Sequence, residues 1–113
     1  MAMNQKTINV LGTEYSLNLV DPDHDPKLKD QRDGYTDTSI KVCVIDSMQE
    51  EHPDNKANLA EYRKSVIRHE LIHAFLFESG LDVCSWANNE EMVDWLAIQF
   101  PKMQKAFEQA NCI

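Results

Sequence analysis

The sequence predicts an α+β fold: a short antiparallel sheet of about three strands packed on one long helix, with one or two further helices toward the C-terminal end. Three observations predict it. Apolar residues alternate in short runs through the first half, where Ile8 to Leu11, Tyr15 to Leu19 and Ile40 to Ile45 read as strands. The stretch from Leu59 to Ser79 holds neither Pro nor Gly and carries apolar residues at helical spacing. A second helical stretch opens near Asn89. With 113 residues, the chain 1–113 is expected to be a single domain with one compact core.

Taken in order, the first two strands are joined at Gly12-Thr13 and form a hairpin. Asp21 to Gly34 contains two prolines and five aspartates and reads as a loop. Asp21, Asp23, Asp25 and His24 have the residue types of a calcium site. The spacing lacks the glycine and closing glutamate of a calcium-binding loop, so a solvated charge run is the better reading. In the third strand Ile40, Val42 and Val44 alternate with Lys41, Cys43 and Ile45. It is expected near a sheet edge that faces a cleft, the alternative being an interior strand whose backbone is already paired. Residues 46–57, with His52-Pro53-Asp54, break the chain before the long helix.

Asn58 with Glu61 makes a capping-box start for that helix, and Gly80 is a natural residue just past its end. Asn88 with Glu91 would make a second capping box for a helix from about Asn89 to Phe100. Pro101 disfavours helical geometry at Phe100, which predicts a kink there or a fresh helix from Pro101 to about Ala110. Phe75, Trp95, Leu96, Phe100 and Phe107 are the expected core. Trp86 and Trp95 could instead line a pocket, but aromatics at helical spacing more often pack.

The bulk properties exclude several classes. A net charge of −8 with scattered Lys and Arg leaves no basic face for nucleic acid. An apolar run such as Ala74-Phe75-Leu76-Phe77 is far too short to span a membrane, and Met1 to Lys6 has no apolar signal region. A cytoplasmic, soluble protein is expected. Cys43, Cys84 and Cys112 are odd in number and form no C-x-x-C pair, so no disulfide framework is expected. Cys43 reads as a small buried thiol and Cys112 as a terminal one.

The chemistry is concentrated in His69-Glu70-Leu71-Ile72-His73, an H-E-x-x-H pentad in the middle of the predicted long helix. Histidines four apart on a helix project from one face, one turn apart, so both can reach a metal at about 2.0–2.1 Å. Glu70 then lies beside that metal, placed to take a proton from a zinc-bound water and pass it to a leaving amine. The bland alternative is two ordinary helix histidines with Glu70 on the solvent side.

A catalytic zinc needs a third protein ligand. Leu76 and Ser79 occupy the places where a third histidine would extend the motif, and His24 and His52 lie upstream in loop-like sequence. Glu90 and Asp94 are four apart near the start of the next helix and share a face. One can bind the metal while the other accepts the free N–H of a ligating imidazole. Acidic residues are also common in any first helical turn, where they complement the helix dipole. Glu91 is a rival ligand one residue away; Asp82 and Cys84 in the interhelical loop are further donors, Cys84 the weaker, and Glu78 points off the ligand face.

Asn89, Glu90 and Asp94 following His69, Glu70 and His73 resemble the gluzincin metallopeptidases, in which H-E-x-x-H is followed by N-E-x-x-x-D on a later helix. The short interval between the motifs is similar to the small ImmA/IrrE-type proteins of bacterial mobile elements and phages. Their helix carries E-x-x-A-N-x-F-A, and here Glu90 to Ala97 has Val for Ala, Asp for Asn and Leu for Phe. Gly34-Tyr35 and the strand after it look like the strand preceding the active-site helix, so the resemblance covers roughly residues 34–101. It implies a minimal zincin-like fold, Zn²⁺ as cofactor, Glu90 as third ligand, Asp94 orienting a histidine, and a peptide or protein as substrate. Some relatives cut a repressor encoded beside them.

The expected function is therefore zinc-dependent hydrolysis of a peptide bond, with His69, His73 and Glu90 on the metal and Glu70 as general base and acid. Tyr35, Tyr62, His52 and Arg68 are candidates for stabilising the oxyanion, and no spacing singles one out. Two other functions fit the same residues. One is a non-catalytic or partner-activated binding module on a protease-like scaffold; the other is hydrolysis of a non-peptide amide.

Overall fold

A computed structural model describes residues 5–30, 32–48, 58–83 and 85–113; the predicted His52-Pro53-Asp54 break and Cys84 lie outside them. Strands β1 (Gln5–Val10) and β2 (Thr13–Val20) pair antiparallel, with Val10 opposite Thr13. The turn is therefore Leu11-Gly12, one residue earlier than Gly12-Thr13. Both residues have positive φ, 53° and 94°, which is the twist a two-residue hairpin turn of type I′ needs. Asn9 Oδ1 accepts the Gly12 N–H at 2.7 Å and holds the turn.

The acidic segment that reads as loop forms two short helical turns, a 3₁₀ turn at Pro22–His24 and α1 (Pro26–Lys29). Each begins with a proline and is capped by an aspartate. Asp21 accepts from the Asp23 N–H and Asp25 from the Lys27 N–H, both at 2.9 Å, so these carboxylates have local capping roles.

Strands β3 (Gly34–Asp37) and β4 (Val42–Asp46) complete a sheet of order β1-β2-β4-β3. The sheet thus has four strands and is mixed: β2 and β4 run parallel, and the other two pairs are antiparallel. The reason lies in the connection. After β2 the chain crosses over through α1, adds β3 at the far edge, and turns back so that β4 enters beside β2 in the same direction. The predicted third strand is β4, which is interior; the edge strand is β3. Ile40 and Lys41 belong to the turn, with Ile40 66% exposed and Lys41 at φ 58°.

Helix α2 (Leu59–Glu78) begins and ends as expected. Asn58 Oδ1 accepts from the Glu61 N–H, and at the other end Gly80 N–H bonds Phe77 O while Leu81 N–H bonds Leu76 O. Its inner face packs Val66, Ile67, Leu71 and Ala74 against Val10, Tyr15, Leu17, Cys43 and Ile45 of the sheet. Gly34 permits the close approach of α2 to the edge strand: a Cβ there would stand 3.0 Å from Val44 O and 3.2 Å from Val66 Cγ1.

Helix α3 (Glu90–Gln109) is capped by Asn89, whose Oδ1 accepts from the Met92 N–H at 3.1 Å. Asn88, the predicted cap, instead donates its amide to Asp82 O. The helix runs through Pro101 as one element, so no fresh helix starts there. Proline leaves the carbonyl four residues back without its helical donor, and here that carbonyl, Ala97 O, accepts from Arg68 Nε at 2.5 Å.

α3 buries only Val93 and Ala97, so small residues make its contact with α2. Leu96 is half-buried. The predicted core aromatics Phe75, Trp95, Phe100 and Phe107 are 40–51% exposed, because they lie off the faces that meet a neighbour. Among the described residues no helix is long and apolar enough to cross a membrane.

Candidate metal centre

Two helices supply the cluster. On α2, His69 and His73 stand one turn apart with ring centroids 4.9 Å from each other, and both imidazoles are largely covered. The first turn of α3 brings Glu90 between them, Oε1 at 3.0 Å from His69 Nε2 and Oε2 at 3.1 Å from His73 Nε2. One ligand atom from each of the three residues lies within 4.8 Å of the others. Asp94 follows one turn later, with Oδ1 3.3 Å from His69 Nδ1. The two ring nitrogens of His69 thus face two different carboxylates.

Two imidazole nitrogens and a carboxylate oxygen are a donor set that suits zinc. Glu91 is exposed and lies about 100° farther round the helix, outside the cluster. Glu78 is used elsewhere, accepting from Thr13 Oγ1, Tyr15 Oη and Lys41 Nζ at 2.8–3.0 Å. Those bonds, that of Lys41 first, hold its carboxyl below the ordinary range.

Glu70 turns toward the sheet and is 8% exposed. The Thr36 hydroxyl on β3 lies 2.7 Å from Glu70 Oε1 and 2.9 Å from Glu70 main-chain O, so one hydroxyl ties this residue to the edge strand. Cys43 is buried behind it, and burial pushes the thiol up to about 11. Glu70, His69, His73 and Glu90 line a common cavity of about 440 Å³ with Thr36 and Asp82. A neighbouring cleft of about 580 Å³ runs along α2 past Tyr62 and Asp94.

Arg32 borders both spaces. Arg32 and Thr36 are residues that sequence reasoning misses, because both sit in a polar segment at no motif spacing from the pentad. The oxyanion candidates have partners of their own, although Tyr35 also lines the cavity of the cluster and Tyr62 the neighbouring cleft. Tyr35 donates to Asp25 at 2.6 Å and Tyr62 donates to Asp33; burial first, and those bonds second, push each phenol up to about 12. Arg68 serves Ala97 O, and His52 lies outside the described residues. Trp86 is 82% exposed.

Compared with models of protein families, with curated proteins and with solved structures, the chain matches none.

Proposed function

We propose that the protein is a cytoplasmic zinc-dependent peptidase of the gluzincin type, similar to the small ImmA/IrrE-type proteins, which cuts a peptide bond in a protein substrate. The observation that carries this reading is the convergence of His69, His73 and Glu90 within 4.8 Å, beside the covered carboxylate of Glu70. Zinc held by these three would supply a Lewis acid and lower the pKa of a water to about 7. Glu70 accepts the proton of the attacking water and delivers it to the leaving amine. Asp94, at His69 Nδ1, would hold the ring so that Nε2 is left to bind the metal beside Glu90. Arg32 brings a guanidinium to the cavity that Glu70, Asp82 and Glu90 also line and is a candidate for meeting the developing oxyanion. The edge of β3 offers an extended peptide a strand to pair with.

A partner-binding role, with or without catalysis, is favoured by the exposed Trp86, Met92 and Trp95 on and before α3. One set of proteins separates the readings: elemental mass spectrometry and peptide hydrolysis on wild type, His73→Ala, Glu90→Ala, Glu91→Ala and Glu70→Gln. The peptidase reading expects one zinc per chain, lost with His73 or Glu90 and kept with Glu91, and turnover lost in Glu70→Gln with zinc retained. A wild type that takes up no zinc rules it out. Zinc without hydrolysis of any peptide or protein leaves the binding role.

A further inference from the structure

We infer that Arg68 and Pro101 are a matched pair that sets α3 against α2, with Arg68 a positioning residue for Glu90 and Asp94; the inference rests on the metal reading above. Pro101 has no N–H, so Ala97 O loses the donor that a continuing helix would provide. Ala97 is fully buried, which keeps water from taking that place. The donor that does reach it is Arg68 Nε, from the neighbouring helix, at 2.5 Å. A guanidinium on a carbonyl is a charge-assisted bond, stronger and more directional than the neutral one it replaces.

The place of this bond gives it consequence. Arg68 immediately precedes His69, and Ala97 lies less than one turn beyond Asp94. The contact therefore joins the turn of α2 that carries a histidine of the cluster to the turn of α3 that follows its two carboxylates. Val93 and Ala97 are the buried residues of α3, too small to key its rotation by shape alone. Arg68 supplies the directional contact, and Pro101 reserves the carbonyl for it. With alanine at position 101, the helix's own N–H would compete for the same oxygen.

The test is a double-mutant cycle with two readouts, zinc affinity by competition with a chromophoric chelator and the melting temperature of metal-free protein. The proteins are wild type, Arg68→Met, Pro101→Ala and the double variant, with Arg68→Lys, which keeps a donor, in case Arg68→Met does not fold. Arg68→Met should weaken zinc binding by about tenfold or more, the usual effect of losing a contact behind a metal ligand. Pro101→Ala, which lets the helix's own N–H take the carbonyl from Arg68, should weaken zinc binding too, and in that background Arg68→Met should cost no more than about threefold further. Arg68→Lys should fall between wild type and Arg68→Met. Equal losses in both backgrounds, or unchanged affinity in Arg68→Met, would overturn the inference. Should wild type take up no zinc, the metal reading fails separately. Coupled melting temperatures would then keep the Arg68–Pro101 pair while removing its positioning role, and additive ones would remove both.

Discussion

Replacing Thr36 by Val tests how Glu70 is held. Valine keeps the volume and the β-branch, so packing and strand preference change little. What is lost is the hydroxyl proton shared between Glu70 Oε1 at 2.7 Å and Glu70 O at 2.9 Å. A hydrogen bond to a charged group contributes about 1.5–3 kcal/mol. Glu70 is 8% exposed, so little water replaces the lost donor, yet its carboxylate borders a cavity of about 440 Å³. The lower half of that range, about 1.5–2 kcal/mol, is therefore expected. Thr36→Ser keeps the donor and loses one methyl, costing about 0.8 kcal/mol. Urea unfolding of metal-free protein at pH 7 reads both. The cycle closes with Glu70→Met, which removes the carboxylate: Thr36→Val should cost at least about 1 kcal/mol less in that background. A Thr36→Val protein within about 0.5 kcal/mol of wild type, or losses that simply add, would refute the claim that this hydroxyl holds Glu70.

Four further outcomes follow from the structure. Gly34→Ala should destabilise by about 1–3 kcal/mol in urea, because its Cβ would press on Val44 O and Val66 Cγ1; an unchanged midpoint would mean that the approach of α2 to β3 is looser than described. In a Cys84→Ser background at pH 8, Cys112 should react promptly with a thiol reagent while Cys43 reacts only as the protein unfolds. Because the folded state holds the Cys43 proton up to about 11 and the unfolded chain releases it near 9, stability should decline as pH rises through that window, and Cys43→Ala should flatten the decline. Glu78 has the opposite sign. Its folded pKa lies below the ordinary value of 4.5, so its contribution is complete above that value and fades as pH falls through the folded pKa. The stability difference between wild type and Glu78→Gln should be present at pH 7 and shrink in acid; a difference independent of pH would remove the ionic role of Lys41 and Glu78.

The residues of the cluster were legible because each half of it is local. His69 and His73, and likewise Glu90 and Asp94, are four apart on helices whose starts and stops are written in Asn58, Gly80 and Asn89. That the two halves meet is a tertiary fact, and the chemistry of an incomplete ligand set, with the resemblance of the two motifs to the gluzincins, pointed to it. The edge strand was hidden for the same reason. Gly34-Tyr35-Thr36-Asp37 has no apolar alternation of its own; β4 and the near approach of Val66 make it a strand. Thr36 and Arg32 were consequently out of reach. The core failed differently. Helical period identifies faces but not which face finds a partner, and α3 docks through Val93 and Ala97 while its larger side chains stay at the surface.

Helix α2 has two neighbours, and they ask for different chemistry. Toward the sheet it presents Val66, Ile67, Leu71 and Ala74, which apolar burial explains, with Glu70 and Glu78 at the margin bonded to Thr36, Thr13, Tyr15 and Lys41. Toward α3 it presents Arg68, His69 and His73, opposite Glu90, Asp94 and the carbonyl of Ala97. Glu90 and Asp94 are 73% and 61% exposed, and exposed pairs of this kind contribute little to stability, so stability alone does not account for the polar seam. The polar seam also holds α3 less firmly than a hydrophobic one would, which is consistent with the exposed aromatics along that helix. Helix propensity accounts for neither the pairing of these side chains nor their order along the two helices. The proposed metal site would account for both, and on that proposal the Arg68 contact would help to fix a register for which the seam has little apolar surface.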